Sequence, residues 1–232
     1  MKMLIAAVTA ALLMVGCSVR IDAGGRTTDV EVKVPEITVT LPQAGPGNPG
    51  TVPVDVGLPK TADRMEIRLA QTIGNVVLDS AGGNALSGQV SYWRTAPTVT
   101  TDQTGGTLSV RIPAEKNVTK SDNTRIPDTV LHVGARVPVS MEVEGAMGDI
   151  SLDLRGLHVT SLRIKSAMGN IRLTVPSAAN VRIFYQAALG SSNLSAAGFT
   201  RNGDYWQSPG FKNDQVVEIS VEIAMGELHV TR

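Results

Sequence analysis

The chain has 232 residues with 21 basic and 21 acidic side chains, a sequence pI near 6.8, and aromatic residues at only 3 %. Without clustered Lys and Arg, that balance excludes strong attraction to nucleic acid or to an anionic lipid surface, both of which need concentrated positive charge. One cysteine rules out an intramolecular disulfide, so the fold must rest on its apolar core, and the length suits one larger domain or two small ones.

Residues 1–16 join a basic Lys2, an apolar run from Met3 to Val15 and a small residue ahead of Cys17. This is the layout of a secretory signal, to be excluded from the fold. The run is shorter than the roughly 20 apolar residues that span a bilayer. Met14-Val-Gly-Cys17 resembles the bacterial lipobox, with Met14 where Leu is usual. The resemblance to bacterial lipoproteins implies that Cys17 becomes the mature N-terminus and carries several acyl chains, which is what stable anchoring requires. It also implies an extracytoplasmic location, on the cell membrane or, because Ser18 follows the cysteine, on the outer membrane of a two-membrane envelope.

From residue 17 to 60 the chain is poor in bulky side chains and rich in Gly and Pro, most of all in Gln43-Ala-Gly-Pro-Gly-Asn-Pro-Gly50. It reads as a flexible tether behind the lipidated cysteine. As a Gly-rich coil its r.m.s. reach is about 35 Å. Within it, Val30 to Leu41 alternates in the manner of a strand.

Residues 61–232 read as the folded domain. Met65-Glu-Ile-Arg-Leu69, Leu108-Ser-Val-Arg-Ile112, Ile150-Ser-Leu-Asp-Leu154, Ile171-Arg-Leu-Thr-Val175 and Val217-Glu-Ile-Ser-Val-Glu-Ile223 all have period two, so each predicts a strand with one buried face. No helical stripe follows the signal, and the predicted class is all-β. A small-apolar-Gly phrase repeats ahead of the strands: Ala146-Met-Gly148, Ala167-Met-Gly169 and Ala188-Leu-Gly190 stand 21 residues apart. Ala224-Met-Gly226 and Thr72-Ile-Gly74 are further copies. That period predicts a single-stranded β-solenoid with coils of about 21 residues. Gly74, Gly148, Gly169, Gly190 and Gly226 are its expected corners, where positive φ and close approach of the next coil favour glycine. The Met or Leu before each glycine is expected to stack inside.

Gly145-Ala-Met-Gly-Asp-Ile-Ser-Leu-Asp-Leu-Arg-Gly-Leu157 and Leu162 to Pro176 resemble the toast-rack family of extracytoplasmic envelope domains. Met65 to Leu78, Gly82-Gly83, Gly88 to Tyr92 and Gly105 to Ile112 fall in the family's order, so the likeness spans roughly residues 60 to 232. The resemblance implies a β-solenoid-like stack and relatives tied to responses against cell-wall-active antibiotics. It implies no mechanism.

For chemistry the sequence offers little. His132, His158 and His229 share no metal-ligand spacing, no Gly-x-Ser-x-Gly elbow is present, and Ala81-Gly-Gly-Asn-Ala85 lacks what a phosphate loop needs. No metal, cofactor or enzymatic activity is expected. Asp149, Asp153, Glu142 and Glu144 suit a solvated acidic face better than a calcium loop. Phe199 to Phe211 concentrates aromatics and breaks the spacing. It is read first as a cap on the stack, with Tyr205, Trp206 and Phe211 as a partner-binding patch in the alternative. The expected function is a lipid-anchored scaffold with an envelope protein as partner. A glycan-binding protein, adhesin or glycan-acting enzyme is the other reading.

Overall fold

A computed structural model of the chain describes residues 18–23, 26–31, 50–80, 83–93, 95–115, 128–134 and 136–232. The expected secretory signal and Cys17 lie outside the described residues, as do residues 24–25 and 32–49 of the stretch read as tether. All regular elements among those described are strands. β1 (Ser18–Ala23) and β2 (Arg26–Glu31) pair antiparallel on their own. The strands after them are β3 (Gly50–Val56), β4 (Arg64–Ile73), β5 (Asn75–Ser80), β6 (Leu86–Tyr92), β7 (Thr100–Thr104), β8 (Thr107–Ile112) and β9 (Asp128–Val133). They continue with β10 (Val139–Met147), β11 (Ile150–Asp153), β12 (Val159–Met168), β13 (Ile171–Thr174), β14 (Val181–Leu189), β15 (Thr200–Asn202), β16 (Tyr205–Gln207), β17 (Val217–Met225) and β18 (Leu228–Thr231).

These strands form two mixed sheets. The first is ordered β15-β16-β14-β17-β12-β10-β4-β8-β7 and the second β18-β13-β11-β5-β9-β6-β3. A recurring unit joins them: a long strand of the first sheet turns a glycine corner into a shorter strand of the second. β4–β5, β10–β11, β12–β13 and β17–β18 are such units, and their strands run parallel to those of neighbouring units. Period-two alternation then places equivalent residues in rows. Leu69, Val143, Ile164 and Val221 form one inward row, while Val76, Ile150, Ile171 and Leu228 form its counterpart in the second sheet; each is 1 % exposed or less. The two sets of inward rows belong to one apolar core.

The corners stack closely. At Gly169 φ is 135°, and a Cβ there would stand 2.0 Å from the carbonyl oxygen of Gly148, so only glycine fits. Gly74, Gly148 and Gly226 share that conformation. Gly190 differs: it is not a positive-φ corner, and its requirement is space alone, since a Cβ would meet the Gly226 oxygen at 1.8 Å. The residue after each glycine links the units. The Asp149 N–H donates to the Asn75 side chain, the Asn170 N–H to Asp149, and the Glu227 N–H to Asn170, at 2.9–3.2 Å.

Three sequence expectations need correction. Coil order follows chain order only from β10–β11 to β12–β13. After β14 the chain makes the β15–β16 hairpin, and β17 then inserts between β12 and β14, so Gly226 lies between Gly169 and Gly190. β4 likewise sits between β8 and β10. Second, the residues before the corner glycines are not an interior ladder. Ile73, Met147, Met168, Met225 and Leu189 are in register, but they project past the end of the core. Ile73 is covered by Trp93, whereas Met168 and Met225 are 42 % and Leu189 is 65 % exposed. Third, the folded unit starts ahead of residue 61, because β3 pairs antiparallel with β6 inside the stretch read as tether.

Candidate functional site

A shallow trough of about 580 Å³ lies on the outer face of the first sheet. Its floor is made of small hydroxyl side chains. Ser140, Ser161 and Ser220 occupy outward positions on β10, β12 and β17, and the Ser140 and Ser161 hydroxyls hydrogen bond at 2.7 Å. Small residues on a pleated face between long ones leave a channel across the strands.

Long charged side chains form the sides. Arg68 on β4 lies 3.8 Å from both Glu66 and Glu142, and Arg163 lies 3.8 Å from Glu222; beyond the trough on the same face Lys165 lies 3.7 Å from Glu144. At these separations the charges neutralise one another but the groups are too far apart for a hydrogen bond between them. Arg182 is different: its guanidinium takes Glu218 in a two-pronged pair, which raises the Arg182 pKa, chiefly through the hydrogen bond and then through the charge of Glu218.

An aromatic wall closes one end. β16 pairs antiparallel with the outer side of β14, which sets Tyr205 beside Phe184 and Trp206 beside Ile183. The Tyr205 and Phe184 rings are 6.0 Å apart at a 60° tilt, and the Arg182 guanidinium lies 5.2 Å from the Tyr205 ring centre. Tyr205 is 41 % exposed and lines the trough. The aromatic segment therefore divides. Phe199 is buried and Trp206 packs against the core, which closes the edge of β14, while Tyr205 remains available. Phe211 sits apart, half-buried in a turn in which its N–H donates to the Ser208 carbonyl.

The other residues singled out by sequence lie elsewhere. His132 is on the second sheet with its Nδ1 2.5 Å from Asp79, and His158 and His229 are exposed. Asp149 accepts from the Asn170 backbone and from Arg172. Asp153 accepts from Arg155, whose hydrogen bonds hold its carboxyl below the usual carboxylate range. Among the described residues no group of three or more His, Cys, Asp or Glu is placed to hold a metal. The sequence pointed to Tyr205 but not to Arg68, Arg163, Glu218 or Glu222. Their signal was the outward position of each strand, and it has no meaning until the strand order is known.

No curated protein matches the chain. A solved structure described as a "putative cell adhesion protein" from Clostridium sporogenes ATCC 15579 superposes with a TM-score of 0.62 at 15 % identity, covering 79 % of this chain and 99 % of that one. At that identity the likeness concerns the fold. A second, described as a "putative adhesin" from Bacteroides fragilis NCTC 9343, reaches a TM-score of only 0.18 at 11 % identity, over 79 % of this chain and 97 % of that one, and carries no weight. The family model for the N-terminal domain of toast_rack, DUF2154, matches residues 29–194, beginning ahead of the expected boundary and stopping short of β17. That match spans well over half of the chain, which therefore belongs to the toast-rack family.

Proposed function

We propose that the protein is an extracytoplasmic, adhesin-like interaction module, held to a membrane by lipid on Cys17 and acting through binding rather than catalysis. The observation that carries this reading is the trough. It is open, rigidly backed by parallel strands, and lined by paired charges and one exposed aromatic ring. Surfaces of that composition favour recognition. The family membership supports the reading, as does the fold shared with a structure described as a cell adhesion protein.

The solenoid expected from the 21-residue spacing is kept in modified form, as a β-solenoid-like stack whose end coils are laid down out of chain order. A partner in the envelope, and a part in its stress response, complete the proposal. Replacing Cys17 with Ser is expected to move the protein from the membrane pellet to the soluble fraction; unchanged pelleting would refute lipid anchoring. Crosslinking the native protein in membranes, followed by mass spectrometry, is expected to recover envelope proteins that a Tyr205→Ala variant loses.

A further inference from the structure

We propose that the trough on the first sheet is a binding site for a neutral, hydroxyl-rich glycan strand, with Tyr205 as its stacking platform; this rests on the interaction-module reading above. The argument begins with charge. In the trough Arg68 faces Glu142 and Arg163 faces Glu222, so the charge changes sign from one strand to the next, and each pair is held at 3.8 Å. A strongly charged ligand would have to pull one member of a pair from its partner. A neutral one has no such cost.

Hydrogen-bonding capacity points the same way. The paired carboxylates remain acceptors, and the guanidinium groups remain donors, because their mutual separation exceeds hydrogen-bond length. A sugar hydroxyl donates and accepts at once, so a row of hydroxyls can satisfy carboxylate and guanidinium together. The serine floor adds groups of the same two-way kind, and its small side chains let a ligand lie close to the sheet.

The third observation is the end wall. Arg182 and Phe184 hold the Tyr205 ring in place, yet the residue stays 41 % exposed. An immobilised aromatic face attracts the C–H bonds on the apolar face of a sugar ring, since the negative quadrupole of the ring meets their slight positive charge. The volume of about 580 Å³ falls within the usual range of ligand clefts, and the shallow, open shape admits a chain longer than the trough itself.

The test is calorimetric titration of the full-length protein in detergent with three neutral hexasaccharides: chitohexaose, cellohexaose and maltohexaose. At least one is expected to bind saturably. Tyr205→Ala and Arg163→Met should each weaken that binding tenfold or more, Tyr205→Phe should retain it, and melting temperatures should stay unchanged. No saturable binding of any of the three, or binding indifferent to Tyr205→Ala and Arg163→Met, overturns the glycan assignment. If the glycans fail while crosslinked envelope proteins are still lost in Tyr205→Ala, the trough takes a protein and only the glycan proposal falls. Failure of both experiments would end the interaction-module reading as well.

Discussion

Between β10 and β13 the chain advances one unit at a time, and neighbours in sequence are neighbours in space; beyond β14 the same phrase, Ala-Leu-Gly190, is separated from its predecessor by a later strand. Both regions use one local code: aliphatic residues facing inward, a glycine corner, and a polar residue after it that accepts from the next unit. The difference is in partner choice. β12 and β14 each present an inward aliphatic row, and β17 carries Ile219, Val221 and Ile223 at the same spacing. By inserting, β17 pairs on both sides instead of leaving an edge, and the β15–β16 hairpin then covers β14.

That contrast can be broken most sharply by removing residues 215–232. If the last unit merely continued the stack, its loss would spare the rest. Because β17 lies inside the first sheet, deletion of the unit removes Ile219, Val221, Ile223, Leu228 and Val230 from the core, each worth about 1.5–3 kcal/mol of burial. It also takes one of the two pairing partners from each of β12 and β14. The expected outcome is failure to fold, read as loss of the cooperative melt and of soluble protein, given a total stability of about 5–15 kcal/mol.

The corner code is tested next. Gly169→Val places side-chain atoms against the Gly148 carbonyl at a φ of 135° and is expected to cost more than about 4 kcal/mol in chemical denaturation. Gly203, at φ 62° with open space around it, serves as the reference, and its change to Ala should cost about 1 kcal/mol.

A smaller effect separates the core rows from the methionine row. Ile164→Ala, at a fully buried position, should lose about 2–5 kcal/mol, whereas Met168→Ser should stay within about 0.5 kcal/mol, as expected for a residue outside the core. Equal losses would restore Met168 to the interior.

The smallest effect concerns Tyr185 on β14. Burial first, and the charge of Glu227 second, push its pKa up, and its hydroxyl donates to the Ser191 carbonyl at 2.9 Å. A raised folded-state value means the contribution is complete below the unfolded tyrosine value near about 10 and is lost as pH rises through the folded value. Tyr185→Phe should therefore flatten the alkaline decline of stability above roughly pH 10 and cost about 0.5–1.5 kcal/mol at neutral pH.

Much of the domain was legible because its signals are local. Ile150-Ser-Leu-Asp and Ile171-Arg-Leu-Thr alternate, and their inward residues are the buried ones. Met168 and Met225 misled for a geometric reason. They keep the inward parity of their strands, but they stand at the corner, past the last core layer. In the candidate site Tyr205 was legible as one aromatic in a polar loop. Glu142 was read only as part of a solvated acidic face, and Arg68, Arg163 and Glu222 were not legible, because they come from strands far apart in sequence whose adjacency depends on pairing.

By itself, the sequence determined the all-β class, the strand faces, the glycine corners and the family likeness. Each follows from alternation, from the absence of a Cβ, or from a short phrase that is read without knowing what lies beside it. Only the tertiary structure decided the order of units and, with it, the trough. Several strands offer nearly interchangeable aliphatic rows, so periodicity leaves the partner open; pairing on both edges and burial of the ends select one arrangement. That arrangement sets the charged rows of β4, β10, β12 and β17 side by side under Tyr205.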